Sequence, residues 1–318
     1  MKKSILMVLS SCVLFASNAL TPVDTLEING TAKDMVLHNT TLDIATDMGH
    51  IELYDVTTNK KLQEISIPNV KDFMGDIVPA RVMSSDFIDG RYLLLSDSGK
   101  GGYSDLYIYE DGKLTKLLSA EDKVSIIKAR FIDKEHILFG YLSNEVALFD
   151  TKSKKELYRT QLSESKFSDF ALNEDKSKAV FACESGELSI VDIKSGKVDK
   201  VLKGLNLDNV YKVDFKKDRV SGAGQDRRAS IYSVSSGKGE YIQGNFLIYA
   251  TALSPSSNLV AFAMNEQNDI IIYDSYTKAK KFTLKGQKST LNSIIFVDEH
   301  MRYSASDDSS VMVWDLKQ

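Results

Sequence analysis

SVMVWDL (310–316) is an apolar run that ends in an aromatic residue, Trp314, followed by an acid, Asp315. The same shape recurs upstream as IELYDV (51–56), DLYIYED (105–111), EVALFDT (145–151), ELSIVDI (187–193), RASIYSV (228–234) and DIIIYDS (269–275). The end points are Asp55, Glu110, Asp150, Asp192, Ser233, Asp274 and Asp315, spaced 55, 40, 42, 41, 41 and 41 residues apart. Five of the six intervals agree within two residues, and self-similarity at roughly 40–45 residues marks a four-stranded sheet repeated around an axis.

Working outward from each copy completes the repeat. Around 269–274 the chain reads IYATALS (248–254), then LVAFAM (259–264), then the copy itself, then the polar KAKKFTLKG (278–286). These predict an inner strand, two apolar middle strands buried between neighbouring sheets, and a polar outer strand at the rim. Turns such as Lys194-Ser195-Gly196-Lys197 and Ser235-Ser236-Gly237-Lys238 suit the hairpin between third and fourth strands. No segment downstream of residue 20 carries a sustained helical period. The fold class predicted is all-β, a seven-bladed propeller over residues 20–318. The seventh copy is followed by no fourth strand, but VDTLEING (23–30) resembles the other fourth strands and ends in Gly, as do LKG (202–204) and LKG (284–286). It is expected to pair with 310–316 and close the ring, which removes exposed edges.

Blade seven, SASDDSSVMVWDLK (304–317), resembles a WD40 repeat at nearly every position. That resemblance implies that Asp308 caps the tight turn between second and third strands and that Trp314 packs between blades. Gln225-Asp226-Arg227 is similar to the same turn in blade five, with Asp226 in the capping place. Elsewhere the pattern lapses: Ser143, Ser185 and Gln267 stand where the family has Asp, and no blade opens with Gly-His. The family's hydrogen-bond network is therefore expected to be mostly missing, leaving packing to hold the blades. As a whole the chain also resembles the propeller accessory proteins, of the NapL type, of some periplasmic nitrate reductase systems. The shared features are one leader, one divergent propeller, no further domain and a Lys/Asp/Ser-rich composition. This resemblance implies an auxiliary role in nitrate respiration without redox chemistry of its own.

Residues 1–19 read as a secretory signal, with Lys2 and Lys3 before an apolar run over 5–16 and Ser17-Asn18-Ala19 at the cleavage site. The run is too short for a permanent span, so a soluble periplasmic protein is expected. Leu9-Ser10-Ser11-Cys12 offers lipid anchoring at Cys12 as the alternative. Cleavage removes two lysines and no acid, so the net charge of −4 becomes −6, which gives no electrostatic case for nucleic acid. Cys183 is then the only cysteine, in the apolar Ala179-Val180-Phe181-Ala182 context of a core residue. Asn29-Gly30-Thr31 fits a glycosylation acceptor.

The sequence predicts no catalytic residue, no metal site and no cofactor. His38, His50, His136 and His300 fall in different repeats without ligand spacing. Gly99-Lys100-Gly101-Gly102 lies between strands with no helix after it, so it is not a phosphate loop. Asp43, Asp47, Asp86, Asp89, Asp97 and Asp105 could form the acidic ring by which propeller lactonases and phosphatases hold calcium, or could be ordinary turn residues. The metal-dependent hydrolase is the alternative function, and an envelope-assembly scaffold is another. The favoured expectation is a non-catalytic scaffold for a periplasmic protein partner, which the resemblance to the accessory propellers implies to be a nitrate reductase component. It rests on the 55-residue interval: blade two carries about 14 extra residues, split between the link 67–80, with Phe73 and Met74, and the turn 98–104, with Lys100 and Tyr103. Both connection types emerge on one face, and inserted loops with apolar tips suggest a partner site. Arg227 and Arg228, in the corresponding turn of blade five, are expected on that face too.

Overall fold

The computed structural model describes residues 18–318. The predicted signal thus lies outside the described residues except for Asn18 and Ala19, and Cys12 lies outside them altogether.

Seven sheets, each with four antiparallel strands, form the blades of a β-propeller. Blades one to six span 32–66, 82–118, 126–161, 167–202, 210–243 and 251–284. The seventh combines 291–315 with a strand from the other end of the chain. There Asp24–Glu27 runs antiparallel to Ser310–Asp315, with Asp24 opposite Val313 and Glu27 opposite Ser310. Ring closure by the N-terminal segment is as the sequence predicted. Beyond prediction, Asn18–Leu20 adds a fifth strand, parallel to Lys280–Leu284 of blade six. Cleavage after Ala19 would leave only the buried Leu20 of that strand.

The middle strands are apolar because each is covered on both sides. Among the described residues the core is accordingly seven separate clusters, one per junction between blades. Leu93, Leu95 and Leu106 of blade two meet Phe131 and Phe139 of blade three, and Val180 and Ile190 of blade four meet Val213 and Phe215 of blade five. Trp314, fully buried, sits with Ala261 and Ile270 at the junction of blades six and seven, between blades as the resemblance implied. Cys183 is buried in blade four. Outer strands are largely exposed instead: KKLQEIS (60–66) is exposed at every residue but Ile65, and KELYRTQ (155–161) at every second one.

Four antiparallel strands return the chain to the face it started from. The links between blades and the turns between second and third strands therefore share one face, here the upper. The inner strands carry a bulge at a common place. Pairing skips one residue near the top of blades one to four, at Lys33, Met83, Ile127 and Ser168. A skipped residue bends the strand and re-aims its side chain, and these four line the mouth of the central channel.

Candidate functional site on the upper face

The link 67–80 is not a plain loop. Val70–Lys71 pairs with Ile77–Val78 in a small hairpin. The Asp72 carboxylate accepts the N–H groups of Met74 and Asp76, each at 2.9 Å, and Gly75 turns the chain at φ +92°. This leaves Phe73, Met74 and Ile77 at the tip, 92%, 72% and 70% exposed. The second insertion supports the first: a Cβ on Gly99 would lie 2.2 Å from the Lys71 carbonyl oxygen. The turn 98–104 is tied by Tyr103 N–H to Lys100 C=O at 2.9 Å and Ser98 Oγ to Tyr103 C=O at 2.8 Å. Lys100 is exposed, while Tyr103 is half-buried with its ring over Gly101.

Arg227 and Arg228 do not join this group, since blade five lies three blades round the ring. Arg227 is exposed at φ +64°. Arg228 is engaged within the chain. It donates to Leu205 C=O at 2.9 Å, lies 4.5 Å from the Tyr241 ring centroid, and sits 3.8 Å from Asp226.

Exposed large apolar side chains are unevenly divided between the faces. Among the described residues, Met48, Phe73, Met74, Ile77, Leu142 and Leu207 belong to upper-face connections, whereas Tyr276 belongs to a lower-face one. The remainder sit along outer strands, except Val23, which immediately precedes one.

The two turn aspartates cap as the resemblance implied. Asp308 accepts Ser310 N–H at 3.1 Å and its hydroxyl at 2.7 Å. Asp226 accepts Arg228 N–H at 3.1 Å and Leu207 N–H at 2.8 Å, tying the preceding link to the turn. The expectation that the polar network is mostly missing needs correction for blade seven. Trp314 Nε1 donates to Ser304 Oγ at 2.8 Å, Ser304 to Gln287 Oε1 at 2.8 Å, and Gln287 Nε2 to Ser306 Oγ at 2.6 Å. Gly286-Gln287 occupies the place of the family's Gly-His, and an amide supplies both a donor and an acceptor there.

The channel holds a charge system that the sequence reading missed. Inner-strand carboxylates pin one blade to the next: Asp34 accepts Ser85 N–H, Asp86 accepts Phe131 N–H, Asp169 accepts Val213 N–H and Asp214 accepts Leu253 N–H, at 3.2, 2.7, 3.1 and 2.7 Å. Arg130 of blade three reaches past blade two to Asp34 of blade one, at 2.8 and 2.9 Å. Lys128 pairs with Asp169 at 2.7 Å. Asp34, Lys128, Asp169 and Lys212 each directly follow the skipped residue of their inner strand, and Asp86, Arg130 and Asp214 stand two residues further on; these two shared registers were the available signal.

The six aspartates weighed as a calcium ring have separate surroundings. Asp86 is one of the pins. Asp43 is buried against His38 at 2.7 Å, and burial pushes its carboxyl up to about 6. Asp47 accepts from Thr31, Asp105 pairs with Lys116 at 2.6 Å, Asp97 faces Arg81 at 3.6 Å, and Asp89 occupies a left-handed turn. Among the described residues, the group whose ligand atoms come close enough to share an ion is His50, Glu52 and Glu64. There Lys61 Nζ already lies 3.2 Å from Glu52 and 2.8 Å from Glu64. Asn29 N–H, His50 and Tyr54 take the rest of the Glu52 carboxylate.

No family model matches the chain, and no curated protein matches it in sequence. The likeness to WD40 propellers therefore rests on the fold and on the details of blades five and seven. Among the described residues no helix is long and apolar enough to cross a membrane.

Proposed function

We propose that this propeller is a non-catalytic binding scaffold of the periplasm whose upper face takes a protein partner. The observation that carries the reading is the concentration of exposed Met48, Phe73, Met74, Ile77, Leu142 and Leu207 on that face, with three of them on one hairpin. Exposed aromatic and methionine side chains favour interface cores, where they act as anchors. The hairpin is braced from below by the 98–104 turn, so the anchors are held in place before a partner arrives, which lowers the ordering cost of association. The resemblance to accessory propellers of periplasmic nitrate reductase systems supports a partner in that pathway. The test is capture from periplasmic extract of cells respiring nitrate, comparing the natural chain with a Phe73→Ala, Met74→Ala, Ile77→Ala variant. Reductase components recovered only by the natural chain are expected. Equal recovery by both overturns the assigned face, and recovery of unrelated proteins alone overturns the pathway.

A further inference from the structure

Asn29-Gly30 is the only Asn-Gly pair in the chain. It makes the bend between the closing strand Asp24–Glu27 and the first strand of blade one, Ala32–His38. The residues around it are held. Ile28 N–H donates to Ser309 C=O at 3.0 Å, Asn29 N–H to Glu52 at 2.8 Å, and Thr31 N–H and hydroxyl to Asp47 at 2.8 and 2.5 Å. Ile28 and Ala32 are buried on either side. Between these anchors two groups are left over. Among the described residues the exposed Asn29 side-chain amide has no hydrogen-bond partner, and the Gly30 N–H donates to none.

The fold itself requires glycine after this asparagine. Gly30 has φ +95°, and a Cβ there would lie 2.4 Å from Met48 Cγ and 2.5 Å from Asp47 Oδ1. The same missing Cβ leaves its nitrogen unshielded toward the Asn29 side chain. Attack of that nitrogen on Asn29 Cγ closes a five-membered ring, an intramolecular step that proximity favours. The N–Cγ bond forms, the Cγ–Nδ2 bond breaks, and the Gly30 proton leaves with the amide as ammonia. Water then opens the succinimide at either carbonyl. Opening at Cγ gives aspartate. Opening at the Asn29 main-chain carbonyl gives isoaspartate, whose backbone runs through Cβ and Cγ and is one atom longer. The Asn29 N–H and Thr31 N–H anchors lie on opposite sides of that extra atom, so both cannot keep their register.

We infer that Asn29 is a site of spontaneous deamidation, and that its isoaspartate product loosens the joint by which the ring closes. Nothing in this chemistry needs an enzyme or the partner proposed for the hairpin. The test is to hold the purified full chain in warm neutral buffer for several days and map its peptides by mass spectrometry at intervals. The fragment carrying residues 29 and 30 is expected to gain the mass difference between an amide and an acid. It should separate into two products, isoaspartate in excess, while fragments with the other asparagines lag behind. The aged chain should melt roughly 2 °C or more below the fresh one, the effect of losing about one hydrogen bond in a large domain. Asn29→Gln should age without that drop. Asn29→Asp, which has the charge without the extra backbone atom, should melt with the fresh natural chain. Conversion at Asn29 no faster than at other exposed asparagines overturns the site, and that measurement needs no variant to fold. An unchanged midpoint after conversion, an equal drop in Asn29→Gln, or an Asn29→Asp midpoint as low as the aged chain's overturns the effect on closure.

Discussion

The backbone N–H of Asn29 donates to the Glu52 carboxylate at 2.8 Å, joining the segment that closes the ring to the third strand of blade one. Tyr54 strengthens the joint by donating both to Glu52 and to Glu27 C=O, at 2.9 and 3.0 Å. Burial alone would raise the Glu52 carboxyl, but His50, Asn29 N–H, Tyr54 and Lys61 outweigh it and hold it at about 2. Stability from Glu52 is therefore present above its ordinary value of 4.5 and lost as pH falls toward 2. Burial lowers His50, but the Glu52 and Glu64 carboxylates raise it above 6.5, so its contribution is present below 6.5 and lost as pH rises through the raised value. The thermal midpoint should peak between these limits. Glu52→Gln should flatten the acid limb, and acid limbs that run parallel in both proteins would contradict the coupling.

Deleting residues 20–30 should cost far more than a terminal trim usually does. It removes the ladder from Asp24 to Glu27 and the buried Leu26 and Ile28, each worth about 1.5–3 kcal/mol of burial. The midpoint should fall by roughly 5–10 °C or more. Size-exclusion chromatography should also show self-association through the opened edge at Ser310–Asp315. An unchanged midpoint would mean that the closing strand contributes nothing.

Replacing Phe73, Met74 and Ile77 with Ala should leave stability within about 0.5 kcal/mol, since these side chains are exposed. Partner affinity should fall by about 1–3 kcal/mol per anchor lost. Gly99→Ala probes the brace: its Cβ would strike Lys71 C=O. That variant should weaken capture while the propeller still melts near the natural temperature. Full capture by Gly99→Ala would show that the two insertions act separately.

Gln287→Ala should strand the hydroxyls of Ser304 and Ser306 in a buried site, at a cost of about 1–3 kcal/mol. Trp314 is the only tryptophan, so its fluorescence reports on the site directly. A red-shifted emission together with a lower midpoint is expected, and Gln287→His should recover part of both. Unchanged emission and midpoint would remove Gln287 from the network.

The third strands and the closure could be read from sequence because their signature is local: an apolar run, an aromatic or apolar residue, an acid, all at one interval. The hairpin at Val70–Lys71 and Ile77–Val78 escaped because paired segments of two residues show no period. Gln287 is not legible because the repeat signature specifies histidine there, whereas the chemistry needs only a side chain that both donates and accepts. The channel charges were hidden for another reason. Asp34, Lys128, Asp169 and Lys212 look like solvated positions in separate inner strands, and only the stacking of blades around the axis brings strands 41 to 96 residues apart into contact.

The strand Asp24–Glu27 and the strand Ser310–Asp315 are hydrogen-bonded partners from opposite ends of the chain. A chain delivered end first, from the ribosome or across a membrane, makes the first of these long before the second. Blades one to six can form as they emerge, yet the early strand has no partner until nearly everything else has arrived. Such sequence-distant pairing is slow to form. In the interval blade one presents an uncovered flank, which makes that waiting period the vulnerable moment for proteolysis and for capture by a neighbouring chain.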